Sequence, residues 1–229
     1  MNFNIRVFGV LEIAGAEFWI TETMVVTWII MLVLIAFAVV VRLKLKTFSD
    51  IPKGFQNVVE LMIDIVDGFV KDSAGEKLHA LGNWFFMVLI FMMASIFSGM
   101  VWLRPPLADW SMAFAFALMT LLLIQVMGIK HRKGKYLKGF LEPFPLFLPL
   151  NLLGELARPI SLSFRLFGNI FAGMIIMTLA YTLTPVWARF GLPAALHVYF
   201  DIATGVIQAY IFCALSLAFI ANAAATQED

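Results

Sequence analysis

The apolar C-terminal part of the sequence carries Glu155, Arg158, Arg165, Asn169, His197, Asp201 and Gln208. Arg165 is the most demanding of them, because its turn neighbours are Leu162 and Leu166. A cation at bilayer depth costs between ~2.5 and more than ~10 kcal/mol, depending on the scale, unless water or an anion meets it. By position alone it is therefore a candidate functional residue. Arg158 differs, since it adjoins Pro159 near one end of its apolar run and can snorkel toward headgroups. Arg158, Ser161, Arg165, Asn169 and Ala172 share one helical stripe by steps of three and four. His197, Asp201, Gly205 and Gln208 form a second stripe, so that two polar faces on adjacent antiparallel helices can line an aqueous crevice. Asp201 with His197 one turn away suits a proton relay or a hydrated vestibule. Asn169 and Gln208 suit the same lining, or a hydrogen bond that joins the two helices. The sequence has no His-Glu-x-x-His and no Gly-x-Ser-x-Gly. Its one cysteine, Cys213, lies in an apolar run and reads as a packing residue. Neither a metal site nor a cofactor site is expected.

The elements that must hold these residues are membrane helices. Hydrophobic residues make up 62% of the chain and charged residues 14%, about half the charged share of a soluble domain. Five apolar stretches approach or exceed the ~20 residues that cross a bilayer as a helix. They cover residues 24–41, 84–103, 110–129, 151–183 and 194–224. The fold class expected is an all-α membrane protein, one polytopic domain over residues 1–229. Residues 55–72 form an amphipathic helix instead of a span. Gln56, Glu60, Asp64, Asp67 and Lys71 alternate there with Phe55, Val59, Met62, Val66 and Phe69, which places the helix in the interface or along other spans. Its acidic stripe reads as a solvated face. The last two stretches form a helical hairpin, the first limb broken only near Pro159. As straight helices they would be about 50 and about 46 Å long, against a hydrocarbon core of about 30 Å. The hairpin must tilt strongly, or its ends must run out along the surface.

Charge placement gives the orientation. Arg42, Lys44 and Lys46 close the first span, and Lys130, His131, Arg132, Lys133, Lys135 and Lys138 follow the third. Span parity puts both clusters on one side, and the positive-inside rule makes that side cytoplasmic. The N-terminus is then outside and the C-terminus inside. Topology explains the basic loop, so no nucleic-acid partner is expected. The N-terminal stretch, with Glu12, Glu17 and Glu22 ahead of the first span, does not read as a signal peptide.

A resemblance emerges from one long motif. The residues Pro149-Leu-Asn151-Leu-Leu-Gly-Glu155-Leu-Ala-Arg158-Pro159-Ile-Ser161-Leu-Ser-Phe-Arg165-Leu-Phe-Gly168-Asn169 resemble the signature region of the subunit a family of bacterial-type rotary ATP synthases. Gln208-Ala-Tyr-Ile-Phe resembles that family's second motif, and the turn Arg104-Pro-Pro-Leu-Ala-Asp109 and the order of spans agree with it. The resemblance implies a non-catalytic subunit of the bacterial plasma membrane. It would stand beside a c-subunit ring, held by peripheral-stalk b subunits and the other synthase subunits within the lipid bilayer. Arg165 matches the family's essential arginine. Two offset half-channels would carry protons, or sodium ions, to and from ring carboxylates, with Asp201, Asn169, Gln208, His197 and Glu155 along the ion path. Many members have Glu, Asp or His shortly after the Asn169 position, where this chain has Met174.

Two other classes remain open to the residues alone. A secondary transporter commonly shows internal repeats with paired broken helices, whereas the charged positions here crowd into one hairpin and the arginine motif occurs once. An intramembrane hydrolase lacks its motifs. The choice between proton and sodium depends mainly on oxygen ligands of the ring, which belong to another chain.

Overall fold

The computed structural model describes residues 7–13, 16–49, 51–101, 103–142, 144–183, 185 and 191–225. Five helical stretches are long and apolar enough to cross a membrane: Glu22–Thr47, Leu78–Met100, Trp110–Arg132, Pro145–Leu183 and Ala195–Ala224. These are the five expected, and the protein is an all-α membrane protein with one small addition. Strands β1 (Val7–Ile13) and β2 (Ala16–Thr21) pair antiparallel before the first span. The sequence does not signal this hairpin, because VFGVLEI and AEFWIT are short, nearly continuous apolar runs with no apolar–polar alternation.

Helix α1 (Glu22–Lys44) carries Glu22 in its first turn and Arg42 and Lys44 in its last, signs that suit the helix dipole. Leu32, Val33 and Ile35 are exposed along it, as suits a surface facing lipid. The amphipathic helix α2 (Phe55–Ala74) lies between two positive-φ glycines, Gly54 and Gly75. It buries Val59, Val66 and Val70 and leaves Phe55 and Met62 exposed, so its packed stripe is narrower than the sequence pattern implies. The Phe69 ring meets Tyr210 with centroids 5.3 Å apart. Helix α2 thus lies along other spans.

Helix α3 (Gly82–Met100) ends in the Pro105-Pro106 turn, where Leu103 N–H donates to the Ser98 carbonyl at 3.2 Å. Inside that turn Leu107 N–H donates to Ser95 Oγ at 3.3 Å. Helix α4 (Trp110–Arg132) then returns and ends where Lys133 adopts a φ of 50°. A short helix α5 (Gly134–Gly139) follows within the basic loop, another element without a sequence signal. Helix α6 (Leu148–Leu183) runs 36 residues without interruption. This corrects the expected break at Pro159. Proline removes one backbone donor and kinks a helix without having to end it, and the carbonyl it deprives is that of Glu155, four residues earlier.

The returning limb comprises α7 (Leu192–His197), a π-helical stretch Val198–Thr204, and α8 (Gly205–Ala224). One buried cluster joins the elements. Phe85 and Met92 of α3, Ile124 of α4, Leu166 of α6, and Phe212 and Leu217 of α8 are all 1% exposed or less. Thr23 Oγ donates to Asp109 Oδ2 at 2.6 Å, so α1 and α4 start at the same end. Arg104 donates to Asp109 Oδ1 at 3.0 Å. The two basic clusters, at the far ends of α1 and α4, consequently share the opposite face of the molecule, called here the basic end.

Candidate functional site

Helix α6 divides its faces sharply. Pro159, Leu162, Ser163, Leu166, Gly173 and Met177 are buried, whereas Ser161, Arg165, Asn169 and Ala172 are exposed. The polar stripe read from spacing is therefore the outward face of this helix. Arg165 has neither a hydrogen bond nor an ion pair to any of the described residues. Beside it Phe164 meets the Trp110 ring, centroids 6.0 Å apart, which ties this turn of α6 to the start of α4.

From Asn169 onward the interhelical polar contacts of α6 go to the returning limb. Asn169 Nδ2 donates to Gln208 Oε1 at 2.6 Å. Gln208 is 4% exposed, and its Nε2 is buried without a partner among the described residues. The helix-joining hydrogen bond is thus present, and it leaves a free donor at the same spot. Further along, Tyr181 Oη and His197 Nε2 lie 3.1 Å apart. Gly173 meets Phe200 between these two pairs, where a Cβ would lie 3.6 Å from the Phe200 Cβ.

Asp201 lies within the π-helical stretch, and its side chain is outside the described atoms. Thr204 Oγ donates to the Tyr199 carbonyl at 3.0 Å, five residues back. Single π turns within α-helices occur often at functional sites. The wider turn displaces everything after it by one position, and this alters the second predicted stripe. Gly205 is buried, so close to α3 that a Cβ would lie 2.5 Å from Ile96 Cγ2. It belongs to a helix contact and not to a crevice.

Glu155 and Arg158 stand apart from this group, at the basic end. Arg158 donates to Glu155 Oε1 at 2.7 Å, and its guanidinium lies 5.3 Å from the Phe219 ring centroid. At this end of α6 the Arg158 guanidinium is held by this ion pair and ring contact. Glu155 Oε2 accepts from Gln125 Nε2 at 3.4 Å, and Gln125 Oε1 accepts from Tyr136 Oη at 3.1 Å. A cavity of about 450 Å³ opens here, lined by Arg132, Tyr136, Asn151, Glu155 and Arg158 among others. Sequence reasoning misses Gln125 and Tyr136. Gln125 is detectable as an amide inside the apolar run of α4, whereas Tyr136 in a basic loop gives no periodic signal. Among the described residues no three His, Cys, Asp or Glu side chains group as a metal site.

Comparison with known proteins gives this chain a family. The family model for the ATP synthase A chain matches residues 24–221. The chain is similar to ATP synthase subunit a of Moorella thermoacetica, at 34% identity over 89% of this chain and 90% of that one. It is also similar to the sodium ion specific ATP synthase subunit a of Propionigenium modestum, at 34% identity over 89% of this chain and 74% of the other. The subunit a of Syntrophobacter fumaroxidans is 32% identical over 90% and 86% of the two chains. Agreement that runs from the first candidate span into the last makes this chain a member of the ATP synthase A chain family.

Proposed function

We propose that this chain is the static ion-channel subunit of a rotary ATP synthase and that Arg165 faces the carboxylates of a rotating c-subunit ring. One observation carries the reading: Arg165 is exposed on a membrane-length helix and has no counter-ion among the described residues. A guanidinium stays charged at any accessible pH, and in hydrocarbon that charge is costly. A partner that brings an anion to this face removes the cost. As each ring carboxylate passes, the cation favours its ionised form, so the bound ion leaves. The same charge repels ions that would pass directly from one access path to the other.

We assign the polar groups to two access paths. Asn169, Gln208, His197 and Asp201 line the path on the side of the α6–α7 connection. Glu155 and Arg158, beside the basic-end cavity, line the other. Arg158 and Arg165 share a face of α6 seven residues apart, about 10 Å along the helix, and the two paths reach that face on opposite sides of Arg165. Ions cross only by riding the ring between them, each driven by about 2.3 kcal/mol per 100 mV. The transported ion is a proton or sodium. The chain makes no covalent bond and needs no cofactor, and ATP forms on other subunits. Peripheral-stalk b subunits hold it static in the bacterial plasma membrane, with its N-terminus outside and its basic end cytoplasmic.

The test is ATP synthesis driven by an imposed ion gradient in reconstituted vesicles, with assembly verified by subunit co-purification. Arg165→Ala should assemble and abolish coupled synthesis. Arg165→Lys should lose most of it as well, because an ammonium is compact, strongly hydrated and able to lose its proton when desolvated. Near-normal synthesis by assembled Arg165→Ala complexes would remove the reading.

A further inference from the structure

The basic loop buries one aromatic side chain against α4. Tyr136 lies in the six-residue helix α5, in a loop whose other side chains are mostly charged. It is nevertheless 6% exposed. Its ring covers Gly128 of α4 so closely that a Cβ there would come within 2.5 Å of Cε2 and 2.7 Å of Cζ. Phe140 packs edge-on against the same ring, centroids 5.2 Å apart. The loop is anchored from the other side as well, since Asn151 Nδ2 of α6 donates to the Phe140 carbonyl at 2.9 Å and the Glu142 carbonyl at 3.1 Å. The ring seat and the loop anchor together aim the hydroxyl at α4.

That hydroxyl begins a chain of contacts. Tyr136 Oη donates to Gln125 Oε1, which leaves the Gln125 amide nitrogen to donate to Glu155 Oε2. The other carboxylate oxygen accepts from Arg158. The order matters, because an amide whose oxygen is fixed by a donor must present its nitrogen to the next group. Burial pushes the Tyr136 pKa up and the Glu155 charge pushes it further, against the smaller opposing effects of Arg158, Gln125 and Arg132. The hydroxyl therefore remains a donor across the working pH range.

We propose that Tyr136 is a positioning residue for the basic-end access path, holding Glu155 through Gln125 in the wall of the cavity. This rests on the reading of the chain as an ion channel. With the Gln125 amide fixed, Glu155 divides its two oxygens between α4 and Arg158, and the carboxylate keeps one rotamer while ions exchange with water beside it. Without the hydroxyl the Gln125 amide turns freely, and its oxygen can then face the carboxylate and repel it.

Tyr136→Phe is the informative variant, since it keeps the ring on Gly128 and Phe140 and removes only the donor. The measurement is ion flow through reconstituted complete complexes, with the ion concentration varied separately on each side of the membrane. We expect normal assembly and a half-saturating ion concentration on the basic-end side raised about fivefold, the factor that one neutral hydrogen bond corresponds to. The value on the opposite side should stay unchanged. Gln125→Leu should raise the same basic-end value, and the double variant should show no further increase, because both changes break one chain. Equal shifts on both sides, an unmoved basic-end value, failure of Tyr136→Phe to assemble, or multiplied effects in the double variant would each overturn the proposal. An Arg165→Ala complex that still couples would instead overturn the parent reading, so the two failures are distinguishable.

Discussion

Arg165 and Asp201 pose the same physical problem from opposite signs. Each carries an ionisable group into apolar sequence, and each needs water or a partner charge. Arg165 meets this need by facing outward. Its side-chain type and its place between leucines make the need legible in the sequence. Its outward direction is not legible there, because a stripe of residues three and four apart fixes only that they share a face. For Asp201 the spacing identifies His197 as a neighbour, and the structure adds the π-helical stretch that starts directly after His197 and contains Asp201. We predict that Asp201→Leu slows gradient-driven ATP synthesis at least about tenfold, because the proposed access path loses its ionisable group. Asp201→Glu, which keeps a titratable oxygen, should lose far less. Asn169→Ala should fall between wild type and Asp201→Leu, since it removes a polar lining group and not a charge. Synthesis unchanged in Asp201→Leu would show that ion uptake on that side uses other groups.

At the scale of elements, the π stretch explains why one predicted stripe holds throughout and the other loses Gly205. Arg158 to Ala172 lie on an unbroken α-helix, so counting by three and four works, even through Pro159. His197 to Gln208 cross a π-helical segment whose wider turn shifts the count, so Gly205 leaves the predicted stripe while Gln208 still reaches Asn169. Single residues give no warning, because Val198-Tyr-Phe-Asp201 is as compatible with an α turn as with a π turn. The displaced residue is Gly205, and its new place has a steric consequence. A Cβ there would lie 2.5 Å from Ile96 Cγ2 and 3.3 Å from Cδ1, and Ile96 is itself buried. Gly205→Val should therefore destabilise the α3–α8 contact by about 1–3 kcal/mol, the range for overpacked cores. Fewer complexes should survive heating in detergent. Ile96→Ala in the same chain should recover much of that survival, since it vacates the volume the valine needs. A Gly205→Val complex as heat-resistant as wild type would mean that the helices separate there without cost.

The whole molecule is polarised by charge, which sets its orientation, and by length, which sets how far α6 reaches across the membrane. Both cation clusters lie at the basic end, which the Thr23–Asp109 hydrogen bond establishes by placing the starts of α1 and α4 together. Helix α6 has 36 residues, about 54 Å, so it cannot stand upright within a core of about 30 Å, and its first turns reach the basic-end cavity while Leu183 emerges at its far end. Insertion retains lysine- and arginine-rich short loops on the cytoplasmic side, so the basic end should be cytoplasmic and Leu183 should face outside. Cysteine labelling suits this chain because Cys213 is fully buried and contributes little background. A membrane-impermeant maleimide added to intact cells should label Leu183→Cys, a position 78% exposed. The same reagent should leave Lys135→Cys unmodified until the membrane is permeabilised. Labelling of Lys135→Cys in intact cells, with Leu183→Cys protected, would invert the orientation. The basic-end cavity and its Tyr136–Gln125–Glu155 chain would then serve the outer access path, and Asp201 and His197 the inner one.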